Sequence, residues 1–159
     1  MRKIVCSTLM GVSLMFLLTT ASAQSDKVIL SFRSMVGVSG PYRGATNPIR
    51  GIGGGGATWV IDEGRGELRK DGRLDVRVRG LVLESTRVNP SAAFRAVVSC
   101  QIIDGAGNPG ILNLSTGDFP ATPTGDADIE ATIELPDKCF APIIFVTNPA
   151  GRWFAVTGF

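Results

Sequence analysis

Hydrophobic and polar residues alternate along several short stretches of the chain. Between Arg73 and Arg79 apolar and charged residues alternate strictly, and the same period of two runs from Ala127 to Leu135. Successive side chains of a β-strand point to opposite faces of its sheet, so this period predicts half-buried strands with one charged, solvent-facing side. No stretch beyond the N-terminal region has the spacing of an amphipathic helix. We therefore predict an all-β domain.

Turn-forming residues separate the alternating stretches at short intervals. Asp71-Gly72 predicts a tight hairpin turn, and Asn148-Pro149-Ala150-Gly151 predicts a second turn between two terminal strands. About eight short strands with such turns between them indicate an antiparallel β-sandwich or a small closed barrel, and both architectures fit the pattern.

The stretch from Ser39 to Ala57 is rich in glycine and contains Pro41 and Pro48. Glycine loses the most backbone entropy when it is ordered, and proline has no backbone N–H, so this composition predicts a long surface loop or arm. We therefore assign residues 24–57 to a first strand and this loop, and residues 58–159 to the core β-structure. Together, residues 24–159 have the usual size of one domain.

The N-terminus has the three parts of a secretory signal. Arg2 and Lys3 form a positive region, Ile4–Leu18 is an apolar run, and Ala21-Ser22-Ala23 is a cleavage motif before Gln24. A membrane-spanning helix needs about 20 apolar residues, and this run is shorter. We predict that residues 1–23 are removed between Ala23 and Gln24. The mature protein is then secreted, to the extracellular space or the periplasm, without stable insertion in a membrane.

Removal of the signal changes the charge balance. The full chain has 16 basic and 14 acidic residues, so the loss of Arg2 and Lys3 leaves a formally neutral mature chain. This balance provides no general attraction to nucleic acid or anionic lipid. The basic excess lies before Ala96 and the acidic excess after it. That distribution predicts either pairing of the two halves in the fold, or self-association or contact with a charged partner.

The cysteine count predicts one disulfide bond. Cys6 lies within the signal, so Cys100 and Cys139 are the cysteines of the mature chain. An even number of cysteines in an oxidising compartment implies pairing, and two cysteines allow one connectivity. A redox-active pair would normally have the close spacing C-x-x-C, which this pair does not have.

The stretch Gly64–Leu83 combines the Asp71-Gly72 turn with a strand that leads into Gly80-Leu81, and Ile144–Arg152 forms the closing hairpin. These two segments resemble the start and the end of chordin-type (CHRD) domains, which are secreted β-domains. The resemblance covers roughly residues 58–159 and implies an exported β-fold rather than an activity. The chain departs from the family in lacking its His-x-His segment, since it contains no histidine.

The lack of histidine removes several chemistries. Ser-His-Asp and Cys-His catalysis and histidine-based zinc or copper sites all need an imidazole. Pairing of the two cysteines would also remove thiolate chemistry. The sequence therefore indicates no catalytic residue, no cofactor and no metal site of the usual kinds.

Two loops have the outline of ligand-binding motifs. Gly51–Gly56 matches G-x-G-x-x-G, but a dinucleotide site needs a strand before this motif and a helix after it, so we interpret it as a loop. The loop from Asp104 to Asn108 hints at a calcium site. Calcium takes about six to eight oxygen ligands, so such a site would also need Asp126 and Asp128, and we predict an ordinary turn.

Two groups of side chains form a candidate ligand face. Trp59 and Trp153 could stack on a sugar, although tryptophans in a small β-domain more often pack in the core. The ladder of Arg73, Arg77 and Arg79 could bind an anionic glycan, although such a ladder is more often the solvated face of a strand.

We therefore expect an exported, non-catalytic β-domain that binds a glycan or protein, or that serves as an envelope or matrix component. Two other functions fit parts of the sequence. A carboxylate-dependent hydrolase would use acids such as Asp62, Glu63, Asp126, Asp128 and Glu130. A small outer-membrane β-barrel would explain the terminal Phe159, although the strands are short and broken by proline and glycine.

Overall fold

The structure, a computed structural model, describes residues 27–157. In this part of the chain the regular structure is β-strand apart from a 3₁₀ turn at Gly40–Tyr42, and no helix is long and apolar enough to cross a membrane. The strands in chain order are β1 (Val28–Phe32), β2 (Met35–Gly37), β3 (Trp59–Val60), β4 (Glu63–Arg69), β5 (Arg73–Arg79), β6 (Val82–Leu83), β7 (Ala93–Ile103), β8 (Pro109–Ser115), β9 (Phe119–Pro120), β10 (Ala127–Thr132), β11 (Phe140–Thr147) and β12 (Trp153–Thr157). The all-β prediction is confirmed. The predicted signal and its cleavage point lie outside the described residues.

Four strands form an antiparallel sheet in the order β1-β4-β5-β10. The alternation predicted for β5 is confirmed, because Leu74, Val76 and Val78 are buried while the charged residues between them face solvent. The predicted Asp71-Gly72 turn joins β4 to β5. One side of this sheet is therefore apolar and the other is charged.

A larger antiparallel sheet has the order β2-β12-β11-β7-β8, and β9 pairs with the start of β7. The predicted terminal hairpin is present as β11 and β12, and the Gly151 amide closes its turn with a 2.9 Å hydrogen bond to the Asn148 carbonyl. β3 and β6 form a separate two-stranded ribbon.

The two sheets pack with their apolar faces together. Leu68, Leu74 and Ile129 from the four-stranded sheet and Phe94, Val98 and Ile144 from the larger sheet belong to one buried cluster. Of the two architectures that fit the sequence pattern, the structure adopts the sandwich.

The predicted disulfide joins Cys100 of β7 to Cys139, with an S–S distance of 1.98 Å and a Cα–Cα distance of 4.9 Å. It links residues 39 positions apart, and closing a loop of that length in the unfolded chain stabilises the fold by about 4 kcal/mol in the chain-entropy model. The bond is consistent with an oxidising compartment.

The glycine-rich segment 39–57 packs against the larger sheet. Its backbone joins β12 through hydrogen bonds from the Gly55 amide to the Trp153 carbonyl (2.8 Å) and from the Trp153 amide to the Gly53 carbonyl (3.1 Å). A Cβ at Gly54 would overlap the carbonyl oxygen of Tyr42, and one at Gly55 would crowd the ring of Phe154. The segment is a loop, as predicted, and the lack of side chains lets its backbone lie directly on the sheet.

Candidate functional site

The outer face of the four-stranded sheet carries charged side chains in cross-strand rows, and we call it the banded face. Its charged members are Glu63, Arg65, Glu67 and Arg69 of β4, Arg73, Asp75, Arg77 and Arg79 of β5, and Asp128 and Glu130 of β10. They share one face because each occupies every second position of its strand. A shallow depression of about 470 Å³ lies on this face.

A row of acids crosses the centre of the banded face. Glu67 lies directly opposite Asp75, and Asp75 lies directly opposite Glu130. Side chains opposed in this way have Cβ atoms about 5 Å apart, and like charges in such pairs destabilise a sheet. The row therefore opposes folding, which makes it a candidate for function.

Arginines lie on both sides of the acid row. On one side Arg65 opposes Arg77, and Arg77 opposes Asp128 of β10. On the other side Arg69 and Arg73 flank the hairpin turn between β4 and β5. The face thus has a negative band between two bands that are rich in arginine.

Asp128 joins two of these arginines. Arg79 Nη2 donates hydrogen bonds to both carboxylate oxygens of Asp128, each 2.9 Å long, and Arg77 Nε donates to Oδ1 at 3.1 Å. These bonds hold the pKa of Asp128 below its usual value, and the bond from Arg79 is the main cause. Arg77 and Arg79 therefore share one carboxylate, which compensates one of their two positive charges.

Asp75 and Glu130 differ from the other acids of the banded face. Glu67 accepts a 2.7 Å hydrogen bond from Arg69 Nε, and Glu63 pairs with Arg65 at 2.9 Å. No residue between 27 and 157 forms an ion pair or a hydrogen bond with the carboxylate of Asp75 or Glu130. These two neighbouring carboxylates are left to solvent or to a partner.

The arginine ladder predicted from the sequence lies on the banded face. In addition to the pairs of Arg77 and Arg79, Arg73 Nε donates a 2.7 Å hydrogen bond to Asp71 Oδ2. The pKa of Asp71 is lowered mainly by the hydrogen bond from the backbone N–H of Arg73, and the hydrogen bond from the Arg73 side chain lowers it further. The ladder therefore presents less free positive charge than its sequence indicates.

The tryptophan half of the candidate ligand face requires a correction. Trp59 and Trp153 are 4% and 2% exposed and belong to the core. The Trp59 ring stacks on Phe154 with centroids 3.7 Å apart, and Trp153 packs near Phe145 at 6.0 Å. Burying the large aromatic surface is favourable at both positions. The interpretation of these two residues as a sugar-stacking platform is therefore wrong.

The acids considered for calcium are each satisfied locally. Asp104 Oδ1 accepts hydrogen bonds from the amides of Ala106 (2.9 Å) and Asn108 (2.7 Å), and the Asn108 amide is the main cause that lowers the pKa of Asp104. Asp126 accepts from the Gly80 amide at 3.0 Å. Across residues 27–157 no three potential ligands form a group that could hold a metal ion. The Asp104 loop forms a turn, in which the Gly107 amide donates a 3.0 Å hydrogen bond to the Asp104 carbonyl.

The outer face of the larger sheet is partly covered by the glycine-rich segment. Arg50 of the glycine-rich segment donates hydrogen bonds to the carbonyl oxygens of Ser99 (2.7 Å) and Ala141 (2.8 Å). Burial lowers the pKa of Arg50. The Gly51–Gly56 motif is followed by β3 and not by a helix, so it lacks the helix N-terminus that a dinucleotide site needs.

Comparison with protein-family models, with curated proteins and with solved structures finds no match.

Proposed function

We propose that the mature chain is an exported, non-catalytic domain that binds a cationic protein segment through the banded face, as a component of an envelope or matrix. The observation that carries the proposal is that the carboxylates of Asp75 and Glu130, at the centre of this face, have no ion-pair partner among residues 27–157. Export is supported by the signal motif before Gln24 and by the Cys100–Cys139 disulfide. Kinship with chordin-type domains stays a prediction.

A difference between the outer faces of the two sheets supports the banded face as the binding surface. Segment 39–57 lies on the larger sheet and is held there by Arg50 and by hydrogen bonds to β12. Among the described residues, the banded face carries its own side chains and a shallow depression. An open face with arranged charges steers a charged partner and selects against the wrong one.

The charge of the face supports a cationic partner. Most arginines of the face already have acidic partners, so an anionic glycan would have to break existing pairs. Arg33 lines the depression on the β1 side. The unpaired negative charge is confined to the half formed by β5 and β10, where lysine or arginine side chains of a partner would meet Asp75 and Glu130.

The carboxylate-dependent hydrolase receives less support. A glycosidase acid must stay protonated near neutral pH, so its pKa is raised by burial or by a neighbouring acid. The described carboxyls with a clear shift all have a lowered pKa, as hydrogen bonding to the ionised form produces; they are Asp71, Asp104, Asp118 and Asp128.

Binding of defined polymers to the immobilised mature protein tests the proposal. We expect poly-L-lysine to bind and uncharged dextran not to bind, with an affinity for poly-L-lysine that falls as salt is raised. The double variant Asp75→Asn/Glu130→Gln should weaken poly-L-lysine binding about tenfold, because two exposed charge contacts are lost.

The matched control is Glu84→Gln/Asp137→Asn, which removes two exposed acids outside the banded face. It should bind poly-L-lysine like the wild type. Equal weakening by both double variants, or a lack of poly-L-lysine binding, would overturn the proposal. Binding of heparin in place of poly-L-lysine would also overturn it, and would favour the anionic-glycan interpretation.

A further inference from the structure

The strand β8 forms one edge of the larger sheet. It pairs with β7 on one side, and no strand among residues 27–157 pairs with its other side. It runs over seven residues, Pro109–Ser115, and no residue within it is charged. This edge is separate from the banded face.

The direction of the backbone groups of β8 follows from its pairing. The Thr116 amide donates to the Ala96 carbonyl at 3.0 Å, in the same register that pairs Leu114 with Val98 and Leu112 with Cys100. In an antiparallel ladder hydrogen-bonded pairs alternate with non-hydrogen-bonded pairs. The N–H and C=O groups of Ile111, Asn113 and Ser115 therefore point away from β7, along the free edge. They have no backbone partner in the described part of the chain.

The free edge of β8 lacks the features that usually prevent pairing. Natural sheets protect edges with charged side chains, bulges, interior prolines or very short strands. The other edges have such features: β1 has a register shift between Val28 and Leu30, β2 has three residues, and β10 carries Asp128 and Glu130. In β8 the only proline is the first residue.

We propose that β8 pairs antiparallel with β8 of a second copy of this chain, which joins the two larger sheets into one continuous sheet. With a two-fold axis at Asn113, Asn113 opposes Asn113 of the second copy and Ile111 opposes Ser115. Every backbone N–H and C=O group on the free edge of β8 then has a hydrogen-bond partner. Such an interface is self-complementary, as a two-fold contact must be. A strand without charge also lets two identical copies meet without repulsion.

The side chains of β8 are also compatible with pairing to a second copy. Leu112 and Leu114 point to the sandwich interior but are only half-buried, since they lie at its open edge. In the register centred on Asn113, Leu112 lies opposite Leu114 of the second copy, and Leu114 lies opposite Leu112. Ile111 is 44% exposed on the other face and would be partly covered. A strand of this length spans about 24 Å, so the interface is small and the dimer is expected to depend on concentration.

Sedimentation of the mature, disulfide-bonded protein over a range of concentrations tests the dimer. Asn113→Pro removes an N–H at the axis from each copy and places proline where an edge strand tolerates it. It should raise the dimer dissociation constant about thirtyfold. Asn113→Ala is the control, because it retains the N–H while losing the side-chain hydrogen bond to the Arg50 carbonyl, and it should dimerise like the wild type. A wild type that is monomeric at every concentration overturns the proposal.

Cysteine cross-linking tests the register independently, should Asn113→Pro fail to fold. Residues opposed in a hydrogen-bonded antiparallel pair have Cα atoms about 5.5 Å apart, which a disulfide can bridge. Asn113→Cys should therefore give a covalent dimer on a non-reducing gel. Ile111→Cys should not, because its counterpart lies four positions away along the paired strands in this register. Cross-linking of Ile111→Cys but not of Asn113→Cys would contradict the proposed pairing.

Discussion

The guanidinium of Arg50 donates a 2.8 Å hydrogen bond from Nη2 to the carbonyl oxygen of Ala141, a residue 91 positions further along the chain. Its Nη1 donates to the Ser99 carbonyl on β7 at 2.7 Å. The register between β7 and β11 shifts between Phe140 and Ile143, and Ala141 has a φ of 41°. A bulge of this kind interrupts the ladder of backbone bonds. Arg50 therefore supplies donors to carbonyl oxygens at an irregularity of the sheet.

The substitution Arg50→Lys should destabilise the fold by about 1–3 kcal/mol, because an ammonium does not reproduce the two-pronged contact of a guanidinium. Urea unfolding measures the change. Arg43→Lys is the matched control within the same segment, since Arg43 Nε makes one exposed hydrogen bond to the Gly40 carbonyl. Equal stability of the two variants would show that Arg50 does not hold the segment.

The substitution Gly72→Ala should strongly destabilise the protein, by about 3 kcal/mol or more. Gly72 has a φ of 88°, and a Cβ there would overlap the carbonyl oxygen of Ile133. Gly105→Ala is the control, because a Cβ at Gly105 meets no atom within 4 Å. Thermal unfolding compares the two variants, and a normal melting temperature for Gly72→Ala would contradict the geometry of this turn.

The close approach of Gly72 and Ile133 also explains why β10 is shorter than the sequence predicts. The alternation from Ala127 to Leu135 predicts one strand, but β10 ends at Thr132. The Ile133 amide instead donates a 3.0 Å hydrogen bond to the Gly72 carbonyl, in the turn between β4 and β5. Local periodicity reports which side chains face the core, and it does not report which distant backbone group takes the next hydrogen bond.

The ion pairs of Asp128 should make the stability depend on pH. The pKa of Asp128 is lower in the folded protein than the value of about 3.9 in an unfolded chain. Its contribution is therefore fully present above about pH 4 and is lost as the pH falls through the folded pKa. Unfolding free energies between pH 7 and pH 2 should fall less steeply for Asp128→Asn than for the wild type, by a small amount because the pair is exposed.

Glu84→Gln serves as the control for this pH series, since Glu84 is an exposed acid away from the banded face. It should follow the wild-type profile. A profile of Asp128→Asn that is parallel to the wild type through the acid range would show that Arg79 and Arg77 do not stabilise the ionised carboxylate.

Loss of the disulfide should reduce the free energy of unfolding by about 2–5 kcal/mol. The double variant Cys100→Ala/Cys139→Ala and the wild type treated with a reductant should lose similar amounts in urea unfolding. Equal losses would show that the destabilisation comes from the missing cross-link and not from the alanine side chains. Two free thiols in the untreated mature protein, found by mass spectrometry, would contradict the bond.

The candidate site was partly accessible from sequence. The outward positions of Arg73, Arg77 and Arg79 follow from alternation alone. The acid row does not, because Asp75 and Glu130 belong to strands that are far apart in sequence and become neighbours through the register of β5 with β10. Both interpretations of Trp59 stayed open for a related reason: it lies in a strand of two residues, too short for any period to assign its face.

The order of strands in the larger sheet has a consequence for the timing of folding. β12, the last strand of the described chain, lies between β2 near the beginning and β11. A polypeptide that emerges N-terminus first therefore leaves β2 without its neighbour until Trp153–Thr157 has appeared. Completion of this sheet is therefore a late, non-local event, because its first strand can pair only after its last strand has been synthesised.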